Sequence, residues 1–177
     1  MMELVIGGGG SGKSAYAEQA VASLTKDGMK RYYLATMRVL DEEGQKRVAR
    51  HKKLRAGKGF RVIEQPVRIQ GALEKMETPG CAVLLECVSN LMANEMFTQE
   101  GVLEEAQAVD AVVNGILLLR DNVTHFIVVS NNVFEDGIRY DEATMKYIRA
   151  MGRANRLLAA AAQRVVEVVA GEPVRIK

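Results

Sequence analysis

The segment Gly7-Gly8-Gly9-Gly10-Ser11-Gly12-Lys13-Ser14 follows directly on the apolar run Leu4-Val5-Ile6. The pattern G-x-x-x-x-G-K-S at the end of a first strand is typical of a phosphate-binding loop, or P-loop. Its backbone N–H groups must converge on phosphate oxygens through angles that a Cβ would obstruct, and the following helix adds its positive N-terminus. We expect Lys13 to reach the β- and γ-phosphates of a nucleoside triphosphate and the Ser14 hydroxyl to hold Mg²⁺.

The same eight residues also contain G-x-G-x-x-G, as Gly7, Gly9 and Gly12, so a dinucleotide-binding loop is the competing interpretation. That interpretation requires an acidic residue at the end of the second strand to bind a ribose. Here the second predicted strand runs into Thr36-Met37-Arg38, which contains no acid. The sequence therefore favours a mononucleotide triphosphate.

Short apolar runs alternate with longer helical patterns along the chain, which predicts βαβ units and an α/β fold with a mostly parallel sheet between helical layers. Strands are predicted over residues 4–6, 32–35, 60–63, 82–85, 126–129 and 165–169, with a final antiparallel edge strand over 174–176. Helices are predicted over residues 13–24, 41–55, 70–76, 103–119 and 141–162. Since no repeat, linker or change in composition interrupts the pattern, we predict one domain over residues 1–177.

Composition narrows the class of protein. The net charge of +2 does not favour a nucleic-acid or membrane-surface partner, and no apolar run has the length of a membrane span. Neither is a signal peptide visible, so the cytoplasm is the expected location. Cys81 and Cys87 flank an apolar stretch and are predicted to be buried strand-end thiols without a disulfide or metal. His125 begins a predicted buried strand and is predicted to be structural.

Two further features complete a candidate site. A P-loop enzyme needs an acid near its magnesium ion, and Glu86 follows the predicted strand Ala82-Val83-Leu84-Leu85 at its carboxyl end. His51 lies in the basic second half of the predicted helix 41–55, whose charges also suit a solvated helix. Neighbouring positive charge favours a neutral imidazole, which is the form that a nucleophile needs.

Six segments, in this order along the chain, resemble the bifunctional adenosylcobinamide kinase and adenosylcobinamide-phosphate guanylyltransferase of cobalamin biosynthesis. They are residues 4–14, Tyr33-Leu34-Ala35-Thr36, the helix from Asp41-Glu42-Glu43 to His51-Lys52, Leu84-Leu85-Glu86-Cys87, Val129-Ser130-Asn131, and Gly152-Arg153-Ala154-Asn155-Arg156-Leu157-Leu158-Ala159. Each segment alone is a modest match, whereas six in register from residue 2 to Lys177 are specific.

The resemblance implies two reactions on a RecA-like P-loop fold. In the first, ATP or GTP phosphorylates the aminopropanol hydroxyl of adenosylcobinamide. In the second, the family's histidine, here His51, takes GMP from GTP and passes it to adenosylcobinamide phosphate. The resemblance also implies that Glu86 and Glu64 contact the nucleotide or its metal, and that the protein is a homotrimer. The residues expected to line the guanine nucleotide are Thr36, Met37, Arg38, Lys52, Lys53, Leu54 and Arg55.

The chain departs from the family pattern in two places. Many members have Ser-Asn-Glu-Val-Gly where this chain has Ser130-Asn131-Asn132-Val133-Phe134, and the common Arg-Pro and Trp become Arg55-Ala56 and Phe60. The first difference lies at a strand's carboxyl end, where substrates bind, and so concerns the corrinoid more than the nucleotide. Two alternatives remain: another P-loop small-molecule kinase, which has no use for His51, and a non-catalytic nucleotide-binding partner protein.

Overall fold

The structure, a computed structural model, describes residues 1–26, 28–38, 49, 57–132, 138 and 140–177. Its main element is a seven-stranded sheet in the order β3-β2-β4-β7-β1-β8-β9. The strands of this sheet are β1 (Met2–Ile6), β2 (Lys30–Ala35), β3 (Phe60–Glu64), β4 (Cys81–Glu86), β7 (His125–Val129), β8 (Arg164–Val169) and β9 (Glu172–Arg175). The first six predicted strands are thus confirmed, and the pairings among them are all parallel.

The predicted antiparallel edge strand is also present, although its position differs. Strand β9 pairs antiparallel with β8 and includes Pro173, opposite Val168, whereas the prediction began the strand after this proline. A proline is tolerated at a sheet edge because no neighbouring strand needs its missing N–H group.

Helices cover both faces of the sheet, as the three-layer prediction requires. Helix α1 (Lys13–Leu24) packs through Ala17 and Val21 on one face, against β-strand residues such as Val5 and Leu84. The other face is covered by α2 (Val88–Met96), α3 (Glu105–Asn122), α4 (Glu142–Ala161) and a 3-10 helix (Ile69–Lys75). Strands that are buried on both faces, such as β4, are apolar along nearly their whole length for this reason.

Three helices match their predictions in position, and Asp141 is the N-cap of α4, accepting a hydrogen bond from the Thr144 N–H at 2.9 Å. The predicted helix 70–76 is instead the 3-10 helix, whose turns close through i→i+3 bonds such as Gly71 N–H to Arg68 O at 2.8 Å. Gly71 lowers the α-helical propensity of this short segment.

Helix α2 and the short hairpin β5 (Phe97–Thr98) and β6 (Gly101–Val102) were not predicted. The predicted helix 41–55 lies outside the described residues, apart from Ala49. Cys81 is buried, Cys87 is half-buried, and both are free thiols, as expected. Within the described part of the chain, every helix is too short or too polar to cross a membrane.

Candidate functional site

The P-loop connects the end of β1 to the start of α1, and two of its glycines are required by the backbone. Gly12 precedes α1 with a φ of 93°, which is the left-handed region. At Gly7, an added Cβ would lie 2.6 Å from the Val168 carbonyl oxygen and 2.7 Å from the Ser11 Oγ. The loop therefore has no room for a side chain at its first position.

The β8–β9 turn supports the P-loop from the side. The Gly171 N–H donates to the Ser11 carbonyl at 2.8 Å, and a Cβ at Gly12 would approach the Gly171 Cα at 3.2 Å. These contacts hold the loop in a defined shape, although it begins with consecutive glycines. A loop of this kind is a cradle for phosphate oxygens because its N–H groups are oriented before the ligand arrives.

Lys13 lies within this cradle. Its Nζ donates to the Gly8 carbonyl at 2.9 Å, so the amine is folded back over the loop. Partial burial lowers the pKa of Lys13 below its usual value, while the nearby Cys87 and Glu86 act in the opposite direction. The position places one cation where the P-loop would hold a terminal phosphate.

Glu86, the last residue of β4, meets Ser14 as the sequence predicts. The Ser14 hydroxyl donates to Glu86 Oε1 at 2.5 Å, and the Tyr33 hydroxyl donates to Glu86 Oε2 at 2.5 Å. Both contacts cross from separate elements, because Ser14 is in α1 and Tyr33 is in β2. The carboxylate is thus fixed from two sides beside the P-loop.

This pair of oxygen donors suits Mg²⁺ bound with nucleotide phosphates. Magnesium prefers hard oxygen ligands and takes few of them from the protein when phosphates and water supply the rest. The described residues contain no group of three or more His, Cys, Asp or Glu side chains that would form a self-sufficient metal site. The Ser14 hydroxyl and the Glu86 carboxylate therefore fit a metal that arrives with its nucleotide.

Thr36 connects the ends of β2 and β4. It is fully buried, and its Oγ1 accepts from the Cys87 N–H at 2.9 Å and lies 3.1 Å from the Glu86 carbonyl oxygen. Asn94 extends this junction by donating to the carbonyl oxygens of Thr36, at 2.7 Å, and Pro66, at 2.9 Å. These bonds fix the strand ends on which Glu86 depends.

A second polar cluster lies beyond β4 and β7, and the sequence did not identify it as part of the site. Asn131 donates to the Ser89 Oγ at 2.7 Å, and Asn155 donates to the Asn131 carbonyl at 2.9 Å. Tyr147 donates to the Ser89 carbonyl at 3.0 Å, and its burial raises its pKa to about 12. The cluster ties α2 and α4 to the carboxyl ends of the strands.

The remaining predicted site residues are only partly described. Met37 is half-buried, Arg38 is exposed, and Glu64 is exposed at the end of the edge strand β3. His51, Lys52, Lys53, Leu54 and Arg55 lie outside the described residues. The structure thus brings together the P-loop, Lys13, Ser14, Glu86 and Thr36, and it adds Tyr33, which the sequence analysis placed only in a strand. His125 begins β7, at the amino ends of the parallel strands, whereas the P-loop lies at their carboxyl ends.

Solved structures with a similar fold are P-loop ATPases. The flagellar accessory protein FlaH from Methanocaldococcus jannaschii superposes over 99% of this chain and 77% of its own, with a TM-score of 0.51 and 11% identity. A second solved ATPase domain superposes over 94% of this chain and 68% of its own, with a TM-score of 0.55 and 11% identity. These similarities confirm the RecA-like P-loop fold and, at this identity, the fold alone.

Sequence comparison is more specific. The bifunctional adenosylcobalamin biosynthesis proteins CobU of Escherichia coli and of Salmonella typhimurium are each 31% identical over 186 residues, covering 100% of both chains. The corresponding protein CobP of Pseudomonas aeruginosa is 27% identical, over 100% of this chain and 98% of its own. The family model described as cobinamide kinase / cobinamide phosphate guanyltransferase matches residues 3–176. With the P-loop and Glu86 in place, the chain therefore belongs to the cobinamide kinase / cobinamide phosphate guanyltransferase family.

Proposed function

We propose that this protein phosphorylates adenosylcobinamide with a nucleoside triphosphate and then transfers GMP from GTP to adenosylcobinamide phosphate. The product would be adenosylcobinamide-GDP, an intermediate of cobalamin biosynthesis. The observation that carries the proposal is the convergence of Lys13, Ser14 and Glu86 at the carboxyl ends of the strands, in a chain that matches its relatives over their full length.

The first reaction uses the P-loop. A hydroxyl oxygen of the acceptor forms a bond to the γ-phosphorus while the bond from that phosphorus to the β–γ bridging oxygen breaks. Negative charge spreads over the phosphate oxygens during this transfer, and Lys13 and the N-terminus of α1 offset it. Because Lys13 is already held over the loop at Gly8, little reorganisation is needed to reach the nucleotide.

Ser14 and Glu86 are the residues proposed to hold Mg²⁺, Ser14 through its hydroxyl and Glu86 through its carboxylate. The ion, when bound with the nucleotide, would neutralise part of the phosphate charge. Their separation of 2.5 Å supports a shared role, since two oxygens that already meet need little movement to bind one ion.

The second reaction is proposed to pass through His51. Its imidazole attacks the α-phosphorus of GTP, pyrophosphate leaves, and the GMP on the histidine then passes to the cobinamide phosphate. Thr36, Met37, Arg38, Glu64 and the segment 52–55 are proposed to line the guanine nucleotide. The basic side chains of this segment, together with Arg38, would stabilise charge on the phosphates. A homotrimer in the cytoplasm stays a prediction.

The test is a covalent one. Incubation with Mg²⁺ and GTP labelled at the α-phosphate is expected to attach one GMP to the protein through an acid-labile, alkali-stable phosphorus–nitrogen bond. His51→Gln is expected to abolish this adduct, whereas His125→Gln, which alters a histidine at the amino ends of the strands, is expected to retain it.

Two outcomes would contradict the proposal. An adduct that maps to a residue other than His51 rules out the histidine assignment. Failure to form any adduct in a protein that binds GTP leaves phosphorylation of a small molecule as the better description, and intact masses of adenosylcobinamide and its products would show whether that step occurs.

A further inference from the structure

Tyr33 contacts the proposed metal-binding carboxylate from the side opposite Ser14. Its hydroxyl donates to Glu86 Oε2 at 2.5 Å, while Ser14 donates to Oε1 of the same carboxylate. Because each oxygen of Glu86 has a donor from a different element, the plane of the carboxylate is set by two contacts.

The Tyr33 side chain is itself held in place. Only 3% of its surface is exposed, and its ring packs edge-to-face with Phe60 of β3 at a centroid distance of 6.1 Å and an interplanar angle of 77°. Tyr33 and Glu86 lie on neighbouring strands, since β2 pairs with β4 and Ala35 is opposite Glu86. The phenol therefore reaches the carboxylate from a fixed position in the sheet.

We propose that Tyr33 is a positioning residue for the metal site, which holds Glu86 Oε2 so that Oε1 stays directed at Ser14. This inference rests on the proposed magnesium-dependent function. A phenol that donates to a carboxylate stabilises its negative charge and restricts its rotation, and such outer contacts strengthen metal binding. Tyr33 then acts through Glu86 and contacts neither the nucleotide nor the reacting atoms.

The test is a Mg²⁺ titration of GTP binding, followed with a fluorescent GTP analogue at equilibrium so that turnover is not required. Tyr33→Phe removes the hydroxyl and keeps the ring against Phe60. We expect the Mg²⁺ midpoint to rise roughly tenfold, as for other outer contacts of metal ligands, with GTP affinity at saturating Mg²⁺ within about twofold of the parent.

Tyr32 provides a matched control in the adjacent position. It is also buried, at 2% exposure, and its hydroxyl accepts from the Glu77 N–H at 3.0 Å, away from the P-loop. Tyr32→Phe should lower the thermal midpoint of unfolding about as much as Tyr33→Phe does, yet leave the Mg²⁺ midpoint at the parent value. This comparison separates positioning of Glu86 from a general loss of packing.

Three results would overturn the inference. A parent-like Mg²⁺ midpoint in Tyr33→Phe, while the parent itself depends on Mg²⁺, refutes the role of Tyr33 and leaves the proposed function intact. An equal rise in Tyr32→Phe shows a structural effect only. GTP binding by the parent that is indifferent to Mg²⁺ removes the proposed metal site and this inference with it.

Discussion

Glu86 and Glu64 end two strands that flank β2, and the same residue of β2, Ala35, is opposite both of them. Glu86 is half-buried and accepts hydrogen bonds from Ser14 and Tyr33. Glu64 lies on the edge strand and is exposed. Two glutamates with nearly the same sequence pattern, an apolar strand followed by an acid, thus occupy very different environments.

Strand order explains the difference. Strand β4 lies beside β7, which lies beside β1, so the helix that follows the P-loop can reach across to the end of β4. Strand β3 has a neighbour on one side only, and three strands separate it from β1 and the P-loop. The comparison indicates that chemistry at this site is concentrated near the centre of the sheet, and substitutions at the centre and the edge can test it.

The largest expected effect is at Lys13. Lys13→Ala should slow GTP turnover by roughly 10²- to 10³-fold, because it removes the cation that offsets charge on the phosphates, while the thermal midpoint stays near that of the parent. The edge control is Lys75→Ala, which loses an exposed contact to Gln65 Oε1 at 2.9 Å. Equal turnover in a folded Lys13→Ala protein would contradict the assignment of the P-loop.

The direct test of the comparison exchanges each carboxylate for an amide. Glu86→Gln should raise the Mg²⁺ midpoint for GTP binding roughly tenfold or more, since the charge beside Ser14 is lost. Glu64→Gln should change that midpoint by less than about twofold, because solvent and salt screen an exposed charge at the sheet edge. A larger effect from Glu64 in the same titration would show that the edge, too, holds the metal.

Asn94 connects the centre to the edge, and its removal should affect stability before chemistry. Asn94→Ala leaves the Thr36 and Pro66 carbonyl oxygens without this donor, which should cost about 1–3 kcal/mol in the free energy of unfolding. Asn122→Ala, whose amide donates to the Leu118 carbonyl at an exposed position, should change it by less than about 0.5 kcal/mol. Denaturant titration measures both, and equal losses would refute a special role for Asn94.

The smallest expected effect is at Glu77, where an exposed carboxylate pairs with Lys30 and Arg61 near the edge. Its side chain is 62% exposed, so Glu77→Gln should reduce the free energy of unfolding by less than about 1 kcal/mol. The difference should shrink further at high salt. A loss that persists in high salt would indicate packing rather than charge.

Much of the centre could be predicted from the sequence. The P-loop pattern located the end of β1 and the start of α1, and an apolar run ending in a carboxylate identified Glu86. The pattern could not show which glutamate meets the P-loop, because that depends on strand order, and strand order follows from long-range packing. Residue roles at His51 and its neighbours remain predictions.

Two features were missed for physical reasons. Helix α2 follows β4 with a single intervening residue, so its apolar residues resemble a continuation of the strand. The spacing of its buried residues Val88, Leu91, Met92 and Met96 is nonetheless helical and was an available signal. Tyr33 carried no comparable signal, since a tyrosine in a strand is ordinary packing until its hydroxyl is seen beside an acid.

The contact between the P-loop and the β8–β9 turn also has a consequence for synthesis of the chain. Residues 7–14 leave the ribosome early, but Val168 and Gly171, which enclose Gly7 and bind Ser11, emerge far later. Strand β1 likewise waits for β7 and β8, which flank it on both sides. A nascent chain therefore carries its phosphate-binding motif long before that motif has a shape, and nucleotide can stabilise the fold only once strand β8 and its turn have been added.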